Sequence, residues 1–254
     1  MRFQFGAQHS ITVNMPDRDR LFGEIRRRVR NGQGFALATL NLDHLVKLSS
    51  DPRFCEVYAG QDLVVADGRP IVWLSRLARR PVRVIPGSDL VLPLAGLAAD
   101  EQVPVALVGG SREALSDAAR ALCEAAPGLR IVYSHAPVYG FDPVGAEADR
   151  ILNDLRKAGA GLCFVALGAP KQESFALHGR RIAPAVGFVS VGAGLDFLGG
   201  HQVRAPLWMR RMALEWLWRA AGDPRRLVPR YLACAAILPG QIRDALRLRR
   251  SGAE

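Results

Sequence analysis

Three groups of residues have the types and spacing for chemistry. The first is the stretch 162–173, LCFVALGAPKQE, where an apolar run stops at Gly168 and a Pro-opened helix sets Lys171, Gln172 and Glu173 in its first turn. Pro is tolerated at a helix start because its missing N–H would have no intrahelical partner there. The unsatisfied N–H groups and the positive end of the dipole then favour an anion, and a Lys and a Gln suit a diphosphate or a sugar. An ordinary turn between strand and helix is the plainer alternative. The second is Asp67-Gly68, an acid directly after the apolar run 63–66. Such an acid is well placed for chemistry at the carboxyl end of a parallel strand, and a turn Asp that merely caps the next helix is the plainer alternative. The third is a run of arginines near the end of the chain. From Gly200 onward there are eleven arginines against four acids, which carries +7 of the net +10. A segment of that charge seeks phosphate, whether in nucleic acid, anionic lipid or a diphosphate, unless it is simply a solvated basic tail.

These residues need a scaffold, and the chain provides a repeating one. Apolar runs at 35–40, 63–66, 82–85, 103–108, 129–133, 162–167 and 186–191 read as strands, with a further short one at 2–5. Most stop at a Gly-rich turn, among them Gly109-Gly110 and Gly192-Ala193-Gly194, the latter followed by Asp196. Amphipathic segments at 17–30, 44–48, 70–77, 90–98, 112–125 and 146–158 read as helices, with Asp43 and Ser88 or Asp89 as candidate caps. The rhythm of strand, Gly and helix predicts a doubly wound α/β domain with a mainly parallel sheet over residues 1–203. After Gly199-Gly200 it gives way to helices in which Trp208, Trp216 and Trp218 alternate with arginines, ending in a helix from 224 to about 248 broken near Pro239-Gly240. Residues 204–254 thus read as a helical appendage. Trp at the apolar boundary and Arg on the polar face suit a membrane interface, while packing on the domain remains open for one face.

Composition narrows the class. The chain has 254 residues, 49% of them hydrophobic and 23% charged, enough for a sizeable core. No apolar run reaches the length of a spanning helix and no signal peptide is visible, so a cytoplasmic protein is expected. Cys55, Cys123, Cys163 and Cys234 are scattered among apolar neighbours and read as buried thiols. Asp17-Arg18-Asp19 matches the DxD of metal-dependent sugar transferases, but it sits at a helix start where acids are ordinary capping residues. His44 can approach the strand ends; His9, His135, His178 and His201 have no spacing for ligation.

Several segments taken together resemble the bacterial WecG/TagA/CpsF glycosyltransferases. They are Thr39-Leu40-Asn41, Ala66-Asp67-Gly68, Gly87-Ser88-Asp89-Leu90, Gly168 with Pro170-Lys171-Gln172-Glu173, and Gly192-Ala193-Gly194 with Asp196-Phe197. Arg204-Ala205-Pro206, Glu215-Trp216 and Pro224-Arg225-Arg226 with Tyr231 complete the set, in the family's order from about 37 to 231. Ser174-Phe175 stands where many members have an aromatic directly after the PKQE segment.

The resemblance implies a Rossmann-like catalytic domain and a membrane-docking appendage on the inner face of the cytoplasmic membrane. It implies inverting transfer of a sugar from a UDP-sugar to a polyprenyl-diphosphate-linked saccharide, in cell-surface or exopolysaccharide synthesis. Asp67 matches the family's acid and is the expected general base, while Thr39 and Asn41, at their own strand end, are expected to hydrogen-bond the sugar or acceptor. Gln172 is expected on the donor sugar, with Lys171 and Asp196 close by. Gly109, Gly110, Gly168, Gly192 and Gly194 are expected to let the nucleotide approach the backbone. Without a metal or other cofactor, the charge on departing UDP falls to helix N-termini and to Arg204, Arg210, Arg211, Arg219, Arg225 and Arg226, whose guanidinium forks suit diphosphate. A homo-oligomer stays open. Two other classes fit less of the sequence. A basic α/β protein that binds nucleic acid rests on charge alone. A nicotinamide-dependent oxidoreductase rests on the Gly109-Gly110 turn, with no acid about 20 residues later at a strand end.

Overall fold

The computed structural model describes residues 1–5, 9–202, 205, 206, 208, 209, 212 and 214–251, with the backbone alone at Arg219 and Arg226. An antiparallel hairpin, β1 (Arg2–Phe5) and β2 (His9–Thr12), opens the chain as a small sheet of its own. Then come α1 (Arg18–Arg30), β3 (Phe35–Leu40), α2 (Leu42–Ser50), α3 (Pro52–Ala59), β4 (Leu63–Ala66), α4 (Arg69–Leu77) and α5 (Gly87–Asp100). The second half runs β5 (Val105–Gly109), α6 (Arg112–Ala125), β6 (Ile131–His135), α7 (Ala146–Lys157), β7 (Leu162–Ala166), α8 (Lys171–Ile182), β8 (Gly187–Ser190) and α9 (Gly194–Leu198). The helices α10 (Glu215–Gly222) and α11 (Pro224–Arg250) come later in the chain.

The six strands from β3 onward form one parallel sheet in the order β4-β3-β8-β7-β5-β6. Every residue of β3, β4, β5 and β8 is buried, as a sheet covered on both faces requires. β6, at the edge, alternates half-buried and exposed residues. On one face Leu21 and Ile25 of α1, Leu90 and Leu94 of α5 and Leu115 and Leu122 of α6 pack over Leu37, Val65, Leu107 and Phe164. On the other, α2, α3 and α4 cover one half and α7 and α8 the other. Phe175 of α8 packs there between Phe141 and Phe188, so the aromatic displaced by one residue serves the core. The expected doubly wound α/β architecture is the observed one.

The chain moves outward from β3 to β4 at one edge, crosses to β5, moves outward to β6 at the other edge, and returns through β7 and β8. Leu40 pairs with Ala66, Gly109 with Ala166 and Val165 with Ser190, which brings the carboxyl ends to one rim. Open α/β sheets bind ligands at that rim, where the direction of winding reverses.

Some local expectations change. Residues 82–85 form no strand beyond a single bridge between Ala66 and Val84. Pro81 and Pro86 flank them, and neither can donate to a ladder. α2 is capped by Asn41 rather than Asp43, and α5 starts at Gly87 after Pro86, with no side-chain cap from Ser88 or Asp89. α11 runs unbroken through Pro229 and Pro239. Ile237, Ala245 and Leu248 pack into the α2–α4 core on both sides of Pro239, and that burial holds the helix across it. Cys55, Cys163 and Cys234 are buried, but Cys123 is exposed on α6. The expected division between residues 203 and 204 lies outside the described residues. Among the described residues no helix is long and apolar enough to cross a membrane.

Candidate active site

Asp67 stands one residue beyond β4, and its N–H still donates to Leu40 C=O at 2.7 Å, so the ladder sets its position. Beside it, at the end of β3, Asn41 caps α2: Oδ1 accepts the His44 N–H at 3.1 Å. With that oxygen taken, the Asn41 amide turns its NH2 toward Asp67, donating to Oδ2 at 3.5 Å. Thr39 is 4% exposed and lies against Gly87, where an added Cβ would sit 3.2 Å from Thr39 Cγ2. The structure therefore brings together Thr39, Asn41 and Asp67, which the sequence reading grouped. A carboxylate held this way can accept a proton from a hydroxyl placed at the rim.

Beneath this group lies a layer that joins His44 and Gln172 to Glu173 and Tyr58, the last two of which carry no role in the expectations from sequence. His44 Nδ1 accepts the Asn41 N–H at 3.2 Å, completing a capping box. Its Nε2 is 3.4 Å from Oε1 of Glu173, within ion-pair range but off-line for a hydrogen bond. Glu173 is wholly buried. Gln172 Nε2 donates to Glu173 Oε1 at 2.8 Å, and Gln172 Oε1 accepts the Gly192 N–H at 3.1 Å. Gln172, expected to face the donor sugar, is thus 3% exposed and turned into the protein. Tyr58 packs with its ring centroid 5.7 Å from that of His44, and burial, helped by Glu173 and Asp67, holds its hydroxyl well above the usual tyrosine pKa.

The other half of the rim is built by backbone. Gly109 has φ +118°, and a Cβ there would collide with the Ala166 carbonyl, so close packing of β5 on β7 excludes a side chain. A Cβ on Gly110 would lie 3.3 Å from Asp196 Oδ1, which places Asp196 over the end of β5. Burial raises the Asp196 carboxyl above its ordinary pKa, and Gln202 Nε2 donates to it at 3.1 Å. Gly168 and Gly192 turn the chain after β7 and β8, and Gly194 opens α9 against Ser88 and Val91. Lys171 lines a cleft of about 330 Å³ with Gly110, Leu167, Phe141, Val138 and Tyr139. Residues 137–141 are a contribution that the sequence reading passed over. Lys47 Nζ ties α2 to this side, donating to the carbonyl of Ala169, whose bond to Pro170 is cis.

Of the expected diphosphate arginines, Arg204, Arg210 and Arg211 lie outside the described residues, as do the side chains of Arg219 and Arg226. Arg225 is exposed on α11. Arg230, not among the expected set, reaches Asp43 at 2.9 Å. Asp17 accepts the Arg20 N–H at 2.9 Å and caps α1. Among the described residues no group of three or more His, Cys, Asp or Glu is placed to hold a metal ion. His135, His178 and His201 each face a nearby acid away from Asp67: Glu147, Asp149 and Asp117. The appendage exposes Trp208, Met212, Trp216, Leu217, Trp218, Val228 and Leu232.

Comparison with known proteins adds two findings. The sequence profile described as the glycosyl transferase WecG/TagA/CpsF family matches residues 8–251. A Bacillus subtilis (strain 168) protein, N-acetylglucosaminyldiphosphoundecaprenol N-acetyl-beta-D-mannosaminyltransferase, is 27% identical over 196 residues, covering 76% of this chain and 73% of its own length.

Proposed function

The chain belongs to the WecG/TagA/CpsF family of glycosyltransferases, and on that premise we propose that it moves a sugar from a UDP-sugar to a polyprenyl-diphosphate-linked saccharide, with inversion. The acceptor class is suggested by the relative's name, which specifies a diphosphoundecaprenol-linked sugar. The observation that carries the proposal is the pairing of Asp67 with Asn41 at the ends of adjacent parallel strands. Asp67 takes the proton of the acceptor hydroxyl as its oxygen attacks the anomeric carbon from the face opposite UDP. Negative charge grows on the departing diphosphate, which backbone N–H groups at the β7 and β8 turns, Lys171 and the appendage arginines offset. The cleft lined by Gly110, Tyr139 and Lys171 has room for part of the nucleotide. Transfer by this scheme needs no metal.

With a lipid-linked acceptor, the proposal puts the work at the inner face of the cytoplasmic membrane. Support for a docking role of residues 204–254 comes from the exposed Trp and Leu side chains interleaved with arginine. The same interleaving favours lipid over nucleic acid, and the product belongs to cell-surface or exopolysaccharide synthesis.

The test is transfer from a panel of labelled UDP-sugars to a short polyprenyl-diphosphate-sugar acceptor, with EDTA present, by wild type and Asp67→Asn. The expected result is transfer that falls by about two orders of magnitude or more in the variant, with UDP still raising the unfolding temperature of both. Wild-type rates in Asp67→Asn would remove the base, and absence of UDP binding would remove the donor class.

A further inference from the structure

We infer that Glu173 is a positioning residue for the proton-accepting end of the site, acting through His44 and Asn41 on Asp67. The inference rests on the reading of Asp67 as the base. Its starting point is that a carboxylate with no exposure is expensive to bury, by several kcal/mol unless well partnered. A sheet-facing position on α8 with Phe175 and Ala176 beside it would be met more cheaply by an apolar residue. Glu173 is nonetheless incompletely partnered: Oε1 takes Gln172 Nε2, and Oε2 has no hydrogen-bond partner among the described residues. Stability alone does not account for it.

The geometry around it runs toward Asp67. His44 Nδ1 is committed to accepting the Asn41 N–H, so a neutral imidazole carries its proton on Nε2, the atom 3.4 Å from Glu173. The Asn41 N–H thus sets the tautomer, and the carboxylate facing the Nε2–H favours it electrostatically and steadies that orientation of the ring. His44 in turn fixes Asn41 at two points, through Nδ1 and through its own N–H on Oδ1. That leaves the Asn41 NH2 as the only end of the amide able to meet Asp67 Oδ2. An acid on α8 thus sets the hydrogen bond received by an acid just beyond β4. The second arm, from Glu173 through Gln172 to the Gly192 N–H, joins the β8 turn to the same carboxylate. One buried group registers the two halves of the rim against each other. Small misplacements of reacting groups can lower turnover by up to about a hundredfold without loss of binding.

The experiment compares full-length wild type, Glu173→Gln, His44→Gln, the double variant and Asp67→Asn in the UDP-sugar transfer assay, reading kcat, donor KM and the UDP-induced rise in unfolding temperature. Gln at 44 keeps an acceptor for the Asn41 N–H, as capping boxes commonly do, but loses the imidazole facing Glu173. The expected result is a fall in kcat of roughly 10- to 100-fold in each single variant, with donor KM within about threefold and the UDP response retained. The double variant should be no slower than the slower single one, since both break one chain. Should Glu173→Gln fail to fold, His44→Gln decides alone. The inference is overturned by wild-type kcat in a folded single variant, by multiplying losses in the double variant, or by kcat losses matched by equal losses of UDP response. Failure of the underlying reading shows separately, as wild-type transfer by Asp67→Asn, and it would take this inference with it.

Discussion

Arg230 on the terminal helix reaches back to Asp43 on α2 at 2.9 Å, and the same carboxylate holds Lys47, also at 2.9 Å. Asp43 is two positions from Asn41, so the appendage is anchored next to the rim of the α/β domain. Arg230→Ala should lower stability by about 1 kcal/mol, the upper end for a partly exposed pair. Limited proteolysis should then cut within α11 faster than in wild type, with the core fragment resistant. Unchanged cleavage would mean that apolar packing alone anchors the helix.

Gly109 should tolerate no side chain. Gly109→Ala combines φ +118° with collision against the Ala166 backbone, and about 3 kcal/mol or more of destabilisation is expected. Gly110→Ala, facing the Asp196 carboxylate end and, at ordinary contact distance, the Ala114 methyl, should lose about 1 kcal/mol. Urea unfolding of the two variants checks the ranking; the order reversed would contradict the β5–β7 packing described.

Trp208 and Leu232 are 59% and 65% exposed. If they enter a bilayer interface, Trp208→Ser and Leu232→Ser should each weaken binding to anionic vesicles by about fivefold, corresponding to roughly 1 kcal/mol of apolar surface, without changing the unfolding temperature. Flotation with vesicles in competition with duplex DNA is the measurement. Displacement by DNA would favour the nucleic-acid alternative.

Glu24 accepts hydrogen bonds from Arg27 and Arg28 on α1, Arg27 contributing most, and its carboxyl is held from an ordinary 4.5 down to about 2. Its folded pKa is depressed, so its contribution is present above 4.5 and lost as pH falls toward 2. Partial exposure reduces that contribution to about 1 kcal/mol. Glu24→Gln should be less stable at neutral pH by that amount and show a flatter loss of stability in the acid range. An unaltered pH profile of unfolding would show that the Arg27 and Arg28 bonds contribute nothing.

The parallel sheet was legible in the sequence because buried strands are apolar on both faces: β3 and β4 have the expected ends, as does α6. Residues 82–85 are equally apolar, yet the prolines on either side deny them a ladder. Pro239 reads as a break because local propensity cannot register what Ile237 and Ala245 gain by packing on α2 and α4. Thr39, Asn41 and Asp67 were legible as site candidates through the family resemblance of their segments, each of which closes a strand. The Glu173–His44 contact was not, since its two halves are far apart in the chain and a Glu in a first helical turn ordinarily serves the dipole in solvent. The bond from the Gly192 N–H to Gln172 Oε1 was hidden for the same reason: a polar residue at a helix start reads as outward-facing, and the fold supplies its partner from another strand end.

Residues 137–141 lie outside any strand or helix, and Tyr139 among them is fully exposed at the mouth of the cleft. Asp67, Asn41 and His44, by contrast, are locked to strand ends and a helix cap. The two parts answer to different constraints during descent. Only Phe141 of the loop is tied to the core, so substitution at 137–140 disturbs no ladder, and a lineage can alter what enters the cleft while inheriting the Asp67, Asn41 and His44 cluster intact.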